Sequence, residues 1–247
     1  MIKNAWIIAA KDIREVLRSR TTYLYMGVMM IISFSFFSTL SGSLGNPSNG
    51  GVGTPGILSE AKTAVGILIS TLPLVFNMLF SSFLSNYAVI TDKSKRVLES
   101  LLATPLSLTE VWAGKSLAIT LPSVSVSFVL SIVALILLNR FFINPVAGRF
   151  VMPGAVQMIT GWVLVPLISL LVTMVVTMFQ LILNNPRIAN FAFMILFFAV
   201  FWIPTTPLKS SLNMPGMYMI LIVFLVVLNI VLSRFLTKER VILSSKG

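Results

Sequence analysis

Residues 116–139, SLAITLPSVSVSFVLSIVALILLN, contain no Lys, Arg, Asp or Glu. A helix rises about 1.5 Å per residue, so roughly 20 apolar residues cross a hydrocarbon core about 30 Å thick. Outward from this stretch the charges leave five more windows of the same kind, at 21–59, 63–91, 150–186, 188–208 and 210–233, the shortest of 21 residues. A helix satisfies its own backbone polar groups in lipid. The expected fold is therefore an all-α integral membrane protein with six transmembrane helices, near 22–41, 64–90, 116–138, 155–183, 188–205 and 216–233. They form a single transmembrane domain over 1–247. The two longest windows contain polar, Gly- or Pro-bearing stretches, so each supplies one span, and Ser41–Pro55 reads as a loop outside the bilayer.

Composition agrees. Of the 247 residues, 57% are hydrophobic and 10% charged, against roughly 45–50% and about 25% in soluble domains. Too few charges remain to cover a water-soluble globule. The chain has no Cys and no His, which removes disulfides, thiol nucleophiles, the commonest metal ligand and the usual general base. No cofactor or metal site is expected on this chain. No cleavable signal peptide is expected either, because the apolar run Ala5–Ala10 is too short for one and Asp12 and Glu15 interrupt the approach to the first span.

The 18 Lys and Arg residues outnumber the seven Asp and Glu, for a formal charge of +11. Six spans put both termini on one side. That side carries 14 basic residues, among them Lys93, Lys95, Arg96 and Lys115; the other carries four, Lys62, Arg140, Arg149 and Lys209. Excess Lys and Arg marks the cytoplasmic side, so both termini are expected in the cytoplasm and the chain in the inner (cytoplasmic) membrane. The basic excess meets anionic headgroups; nucleic acid is not an expected partner, since no basic soluble face exists to present to it.

Two cytoplasmic segments are amphipathic. Over 4–20, Trp6, Ala9, Ala10, Ile13, Val16 and Leu17 follow helical spacing, with Lys11, Asp12, Arg14, Glu15 and Arg18 largely between them. This is the pattern of an interfacial helix, with Trp6 toward lipid and Lys11, Arg14 and Arg18 toward headgroups. It either anchors the first span alone or also meets a cytoplasmic partner. In the loop Thr91–Lys115, Val97, Leu98, Leu101 and Leu102 predict a short helix over 95–103, stopped by Thr104-Pro105. Ser107-Leu108-Thr109-Glu110 then has the form of a capping box opening the helix of the third span.

The run Arg96-Val97-Leu98-Glu99-Ser100-Leu101-Leu102-Ala103-Thr104-Pro105, continuing to Gly114-Lys115, resembles the signature region of ABC-2 type transporter permeases, the membrane subunits of ATP-driven exporters. Arg96 stands where that family often has Gly. The resemblance implies a half-transporter working beside a second copy or a related permease, docked on two cytoplasmic ABC ATPase subunits that carry the ATP and Mg. It assigns Arg96, Glu99, Leu101, Leu102, Thr104 and Pro105 to a coupling helix that meets the ATPase. It implies no enzymatic activity on this chain.

Other motifs fail on spacing. Gly114-Lys115-Ser116 looks like the end of a phosphate-binding P-loop, but the Gly required five residues earlier is Thr109. Glu110 to Pro122 loosely resembles the cytoplasmic loop of ABC importers, with intervals too short for that motif. No span needs a charged residue deep within it, which disfavours an ion-coupled carrier. Uncharged polar residues do align: Ser70, Asn77, Ser81 and Ser85; Thr120, Ser123, Ser127 and Ser131; Ser169, Thr173, Thr177 and Gln180, each on one helix face. Such faces serve helix packing, or, for Asn77, Ser81 and Ser85, line a translocation path for an amphiphile at a dimer interface. The Pro-rich stretch 203–216 is either a re-entrant element or a tight external loop. The expected function is export of an amphipathic, lipid-like or drug-like substrate by alternating access. The alternatives are an ATPase-independent channel or membrane scaffold, and the membrane subunit of an ABC importer.

Overall fold

The computed structural model describes residues 2–28, 31, 55–94, 97, 100, 106–144, 148–183, 195 and 214–235. Among these there is helix and no strand. Helix α1 spans Ile2–Arg18, α2 Pro55–Ser85, α3 Leu108–Leu138, α4 Ala155–Ile182 and α5 Met214–Ser233. A wide π turn, Asn86–Ile90, carries α2 on into Thr91–Ser94; a second, Asn139–Ile143, extends α3; a third, Thr160–Leu164, lies inside α4. Helices α2 to α5 each hold a stretch long and apolar enough to cross a membrane. They coincide with the second, third, fourth and sixth expected spans. Of the first expected span, residues 22–28 and 31 are described and helical. The rest of it, and almost all of the fifth span, the loop Ser41–Pro55 and the segment 203–216, lie outside the described residues.

Two boundaries move. Helix α2 begins at Pro55, so its first turns carry Glu60 and Lys62, and α3 begins at Leu108, two turns before the charge-free window. Hydropathy marks where a helix can meet lipid, whereas capping and backbone hydrogen bonding decide where it starts. Pro55 opens α2 without loss, because the missing N–H is one of the unpaired first-turn donors.

Helices α2 and α3 run antiparallel, and their contacts bury both ends. Val65, Leu68, Ile69, Leu72 and Phe76 meet Leu135, Leu138 and Ile143 at one end. Phe80, Leu84 and Val89 meet Leu108, Trp112 and Ile119 at the other, where Val16 of α1 joins them. Leu74 and Met78 of α2 pack with Ile168, Val172 and Val176 of α4 and with Tyr218, Leu221 and Leu225 of α5. Pro73 sits inside α2 and cannot donate to the carbonyl of Ile69. Gly161 of α4 fills the space beside that carbonyl: a Cβ there would overlap the Ile69 oxygen.

Helix α1 ends at Arg18; Ser19 breaks it, the Val16 carbonyl accepts from the Thr22 hydroxyl at 2.8 Å, and residues 20–28 form a new helical run. Its packing corrects the simple two-faced picture. Ala5, Ile8, Ala9, Asp12 and Val16 face the bundle and are buried, so Asp12 belongs to the packed face. Trp6 and Leu17 stay exposed beside it, and Lys11, Arg14 and Arg18 are exposed on the third side.

Candidate functional site

The base of α3 is built as the capping box predicts. Glu110 N–H donates to Ser107 Oγ at 3.3 Å, and Ser107 N–H donates to the Glu110 carboxylate at 2.9 Å. Two orphan donors of the first turn are thereby satisfied. One turn on, Gly114 lets α1 lie against α3. A Cβ at this position would stand 2.8 Å from the Ala5 carbonyl oxygen and 3.0 Å from Ile8 Cβ. This close approach delivers Asp12 to the next residue of α3, Lys115.

Lys115 is fully buried. Its Nζ donates to Asp12 at 3.2 Å, to Asp92 at 2.5 Å and to the Ala88 carbonyl at 3.1 Å. All three protons of the ammonium are used. The cluster joins α1, the turn that follows α2, and the base of α3. Two carboxylates face one ammonium, so it carries a net negative charge. Burial pushes the Asp12 carboxyl above its ordinary value, with the Lys115 ammonium opposing that shift and Asp92 adding to it. Buried charges of this kind are costly unless fully paired. The cluster therefore holds its three segments in one arrangement.

A second cation serves the same end of the bundle. Lys93 Nζ donates to the carbonyls of Gln180 at 3.3 Å and Leu183 at 2.6 Å, closing the last turn of α4. Burial pushes the Lys93 ammonium below its ordinary value. Ser85 Oγ donates to Gln180 Oε1 at 2.6 Å, and Trp112 Nε1 donates to the Met174 carbonyl at 2.8 Å. Helices α2, α3 and α4 are thus tied together where Lys93 and Lys115 lie, while Lys62 and Arg140 sit at the opposite end.

The three polar faces meet inside the bundle. Asn77, Ser81, Ser85, Thr120, Ser123, Ser127, Ser131, Ser169, Thr173, Thr177 and Gln180 are all buried. Asn77 Oδ1 accepts from Ser169 at 2.8 Å and from Ser81 at 3.4 Å, and Ser127 donates to the Pro73 carbonyl at 2.8 Å. Asn77, Ser81 and Ser85 therefore face α4 within one chain rather than a surface open to a second copy. A path beside them requires α2 and α4 to part.

Of the segment assigned to coupling, Arg96, Glu99, Leu101, Leu102, Thr104 and Pro105 lie outside the described residues. Val97 and Ser100 are described, and the Ser100 hydroxyl donates to the Val97 carbonyl at 2.8 Å. Asp12 and Asp92 were not singled out by sequence. The available signal was an acid at a position in step with Ala5, Ala9 and Val16 on α1, and another immediately after the second span. No protein-family model matches the chain, and no curated protein matches it.

Proposed function

We propose that this chain is the membrane subunit of an ATP-driven exporter of the ABC-2 type, with six spans and both termini in the cytoplasm. Two such subunits work on two separate ATPase subunits and move an amphipathic substrate by alternating access. The observation that carries this reading is the buried Asp12–Lys115–Asp92 cluster. Asp92 lies four residues before Arg96, and Lys115 lies ten residues after Pro105, so the segment resembling a coupling helix is bracketed by two members of one ion cluster. The third member, Asp12, sits on a helix whose exposed Trp6 and Leu17 suit a lipid interface and whose exposed Lys11, Arg14 and Arg18 suit anionic headgroups. A push on residues 96–105 reaches the second span, the third span and the interfacial helix together. The substrate passes where the polar faces of α2 and α4 separate.

The test is co-purification with a candidate cytoplasmic ATPase, followed by flux in liposomes. Stable co-elution that is lost on changing Glu99, Leu101 and Leu102 to Ala, with flux requiring ATP hydrolysis, is the expected result. Flux without any ATPase would instead identify a channel, and inward ATP-dependent flux an importer.

A further inference from the structure

At the middle of the candidate spans of α2 and α4, Ser169 Oγ donates to Asn77 Oδ1 at 2.8 Å. The two helices run parallel here, since Asn77 pairs with Ser169 and Ser85 with Gln180 further along both. One turn beyond the Asn77–Ser169 contact, Ser81 and Thr173 come level. Asn77 and Thr173 are each 1% exposed, yet Asn77 Nδ2 and Thr173 Oγ1 have no hydrogen-bond partner. Reversing the amide would only exchange which end is left unpaired, because Ser169 and Ser81 both address the same side of it.

Other buried hydroxyls of α3 and α4 are not left this way. Ser116, Thr120, Ser123 and Thr177 each donate to the carbonyl four residues back in their own helix. Thr173 could do the same and does not. Flanking residues Met78, Ile168, Val172 and Val176 are apolar and buried, so no polar side chain of theirs satisfies the two atoms. An unpaired donor and an unpaired hydroxyl at this depth are expensive, and buried water characteristically bridges such groups through two to four hydrogen bonds.

We propose that the Asn77–Thr173 seam is a mid-membrane binding site for an uncharged hydrogen-bonding group. Water occupies it at rest. In the transport cycle, and to that extent resting on the proposed function, it takes a neutral hydroxyl or amide of the cargo. The seam side chains Asn77, Ser81, Ser169 and Thr173 carry no charge, so an ionised group has no counterion there.

Because the chain has no Cys, a single introduced thiol reports on the site. Thr173→Cys and Ser81→Cys are compared with Val172→Cys, an equally buried but apolar position, in proteoliposomes without any ATPase. The probe is methyl methanethiosulfonate, which is small and uncharged and reacts with the thiolate. A hydrated seam labels at 173 and 81 about tenfold faster than at 172, the factor produced by one unit of thiol pKa. Adding Asn77→Leu to the Thr173→Cys variant removes that advantage. Equal rates at all three positions, or no labelling at any of them, would overturn the proposal. Failure of ATP-dependent flux would leave this labelling pattern intact, so the two proposals fail separately.

Discussion

Replacing Lys115 by Met keeps the length of the side chain and removes its charge. The structure sets the cost. Lys115 is wholly enclosed, while the Asp12 and Asp92 side chains are 8% and 18% exposed. At an effective dielectric constant of about 20, one charge pair at 3.2 Å is worth about 5 kcal/mol before desolvation is subtracted. Removing one member of a buried pair costs about 3–5 kcal/mol, because the other is left charged and unpaired. Protonation caps that loss. From the ordinary carboxyl value of 3.8, neutralising Asp12 at pH 7 costs about 4 kcal/mol, and at pH 5 about 1.6 kcal/mol. Lys115→Met should therefore destabilise the protein by about 4 kcal/mol at pH 7, a penalty shrinking by about 1.4 kcal/mol for each pH unit below that. Asp12→Asn alone costs about 1 kcal/mol or less, since Lys115 keeps Asp92 and the Ala88 carbonyl. The double variant recovers about 2–3 kcal/mol relative to additivity, because only the partly hydrated Asp92 is left unpaired. Denaturation in mixed micelles reads the stabilities. Amide hydrogen exchange over 8–16 reads the release of α1, with protection expected to fall at least 100-fold. A pH-independent penalty, or strict additivity of the two substitutions, would refute the role given to the cluster.

Three further outcomes follow from the packing. Gly161→Ala drives a Cβ onto the Ile69 carbonyl and should cost about 1–3 kcal/mol in the same denaturation assay, whereas Gly27→Ala meets nothing within 4 Å and should be neutral or stabilising by about 0.5–1 kcal/mol. Ser107→Ala removes the cap of α3 and should cost about 1 kcal/mol, with Ser107→Asp restoring it. Since the folded pKa of Asp12 is raised above 3.8, the native state binds the proton more tightly than the unfolded state. Its contribution is then full below pH 3.8 and is lost as pH rises through the folded value; in Asp12→Asn this part of the stability–pH slope should vanish.

Much of the architecture was legible along the chain because its causes are local. Hydrocarbon crossing needs only an uninterrupted apolar run, so the absence of charge over 116–139 located α3 without any knowledge of its neighbours. The Ser107–Glu110 cap is a contact across three residues, and the helical repeat alone put Asn77, Ser81 and Ser85 on one face. Tertiary structure decided what those faces touch. Lys115 lies 103 residues from Asp12 and 23 from Asp92, and their meeting depends on the register in which α1 and α2 pack on α3, set by how closely Gly114 allows α1 to come. For the same reason Asp12 groups with the other charged residues between the apolar positions when α1 has one lipid face and one polar face, and is buried because a third face is directed at the bundle. The space beside Ile69 was likewise half visible: Pro73 announces a carbonyl without its usual donor, but only the crossing of α2 and α4 brings Gly161 to it. Local periodicity determines which side chains share a face, and packing between distant segments determines whether that face meets lipid, water or another charge.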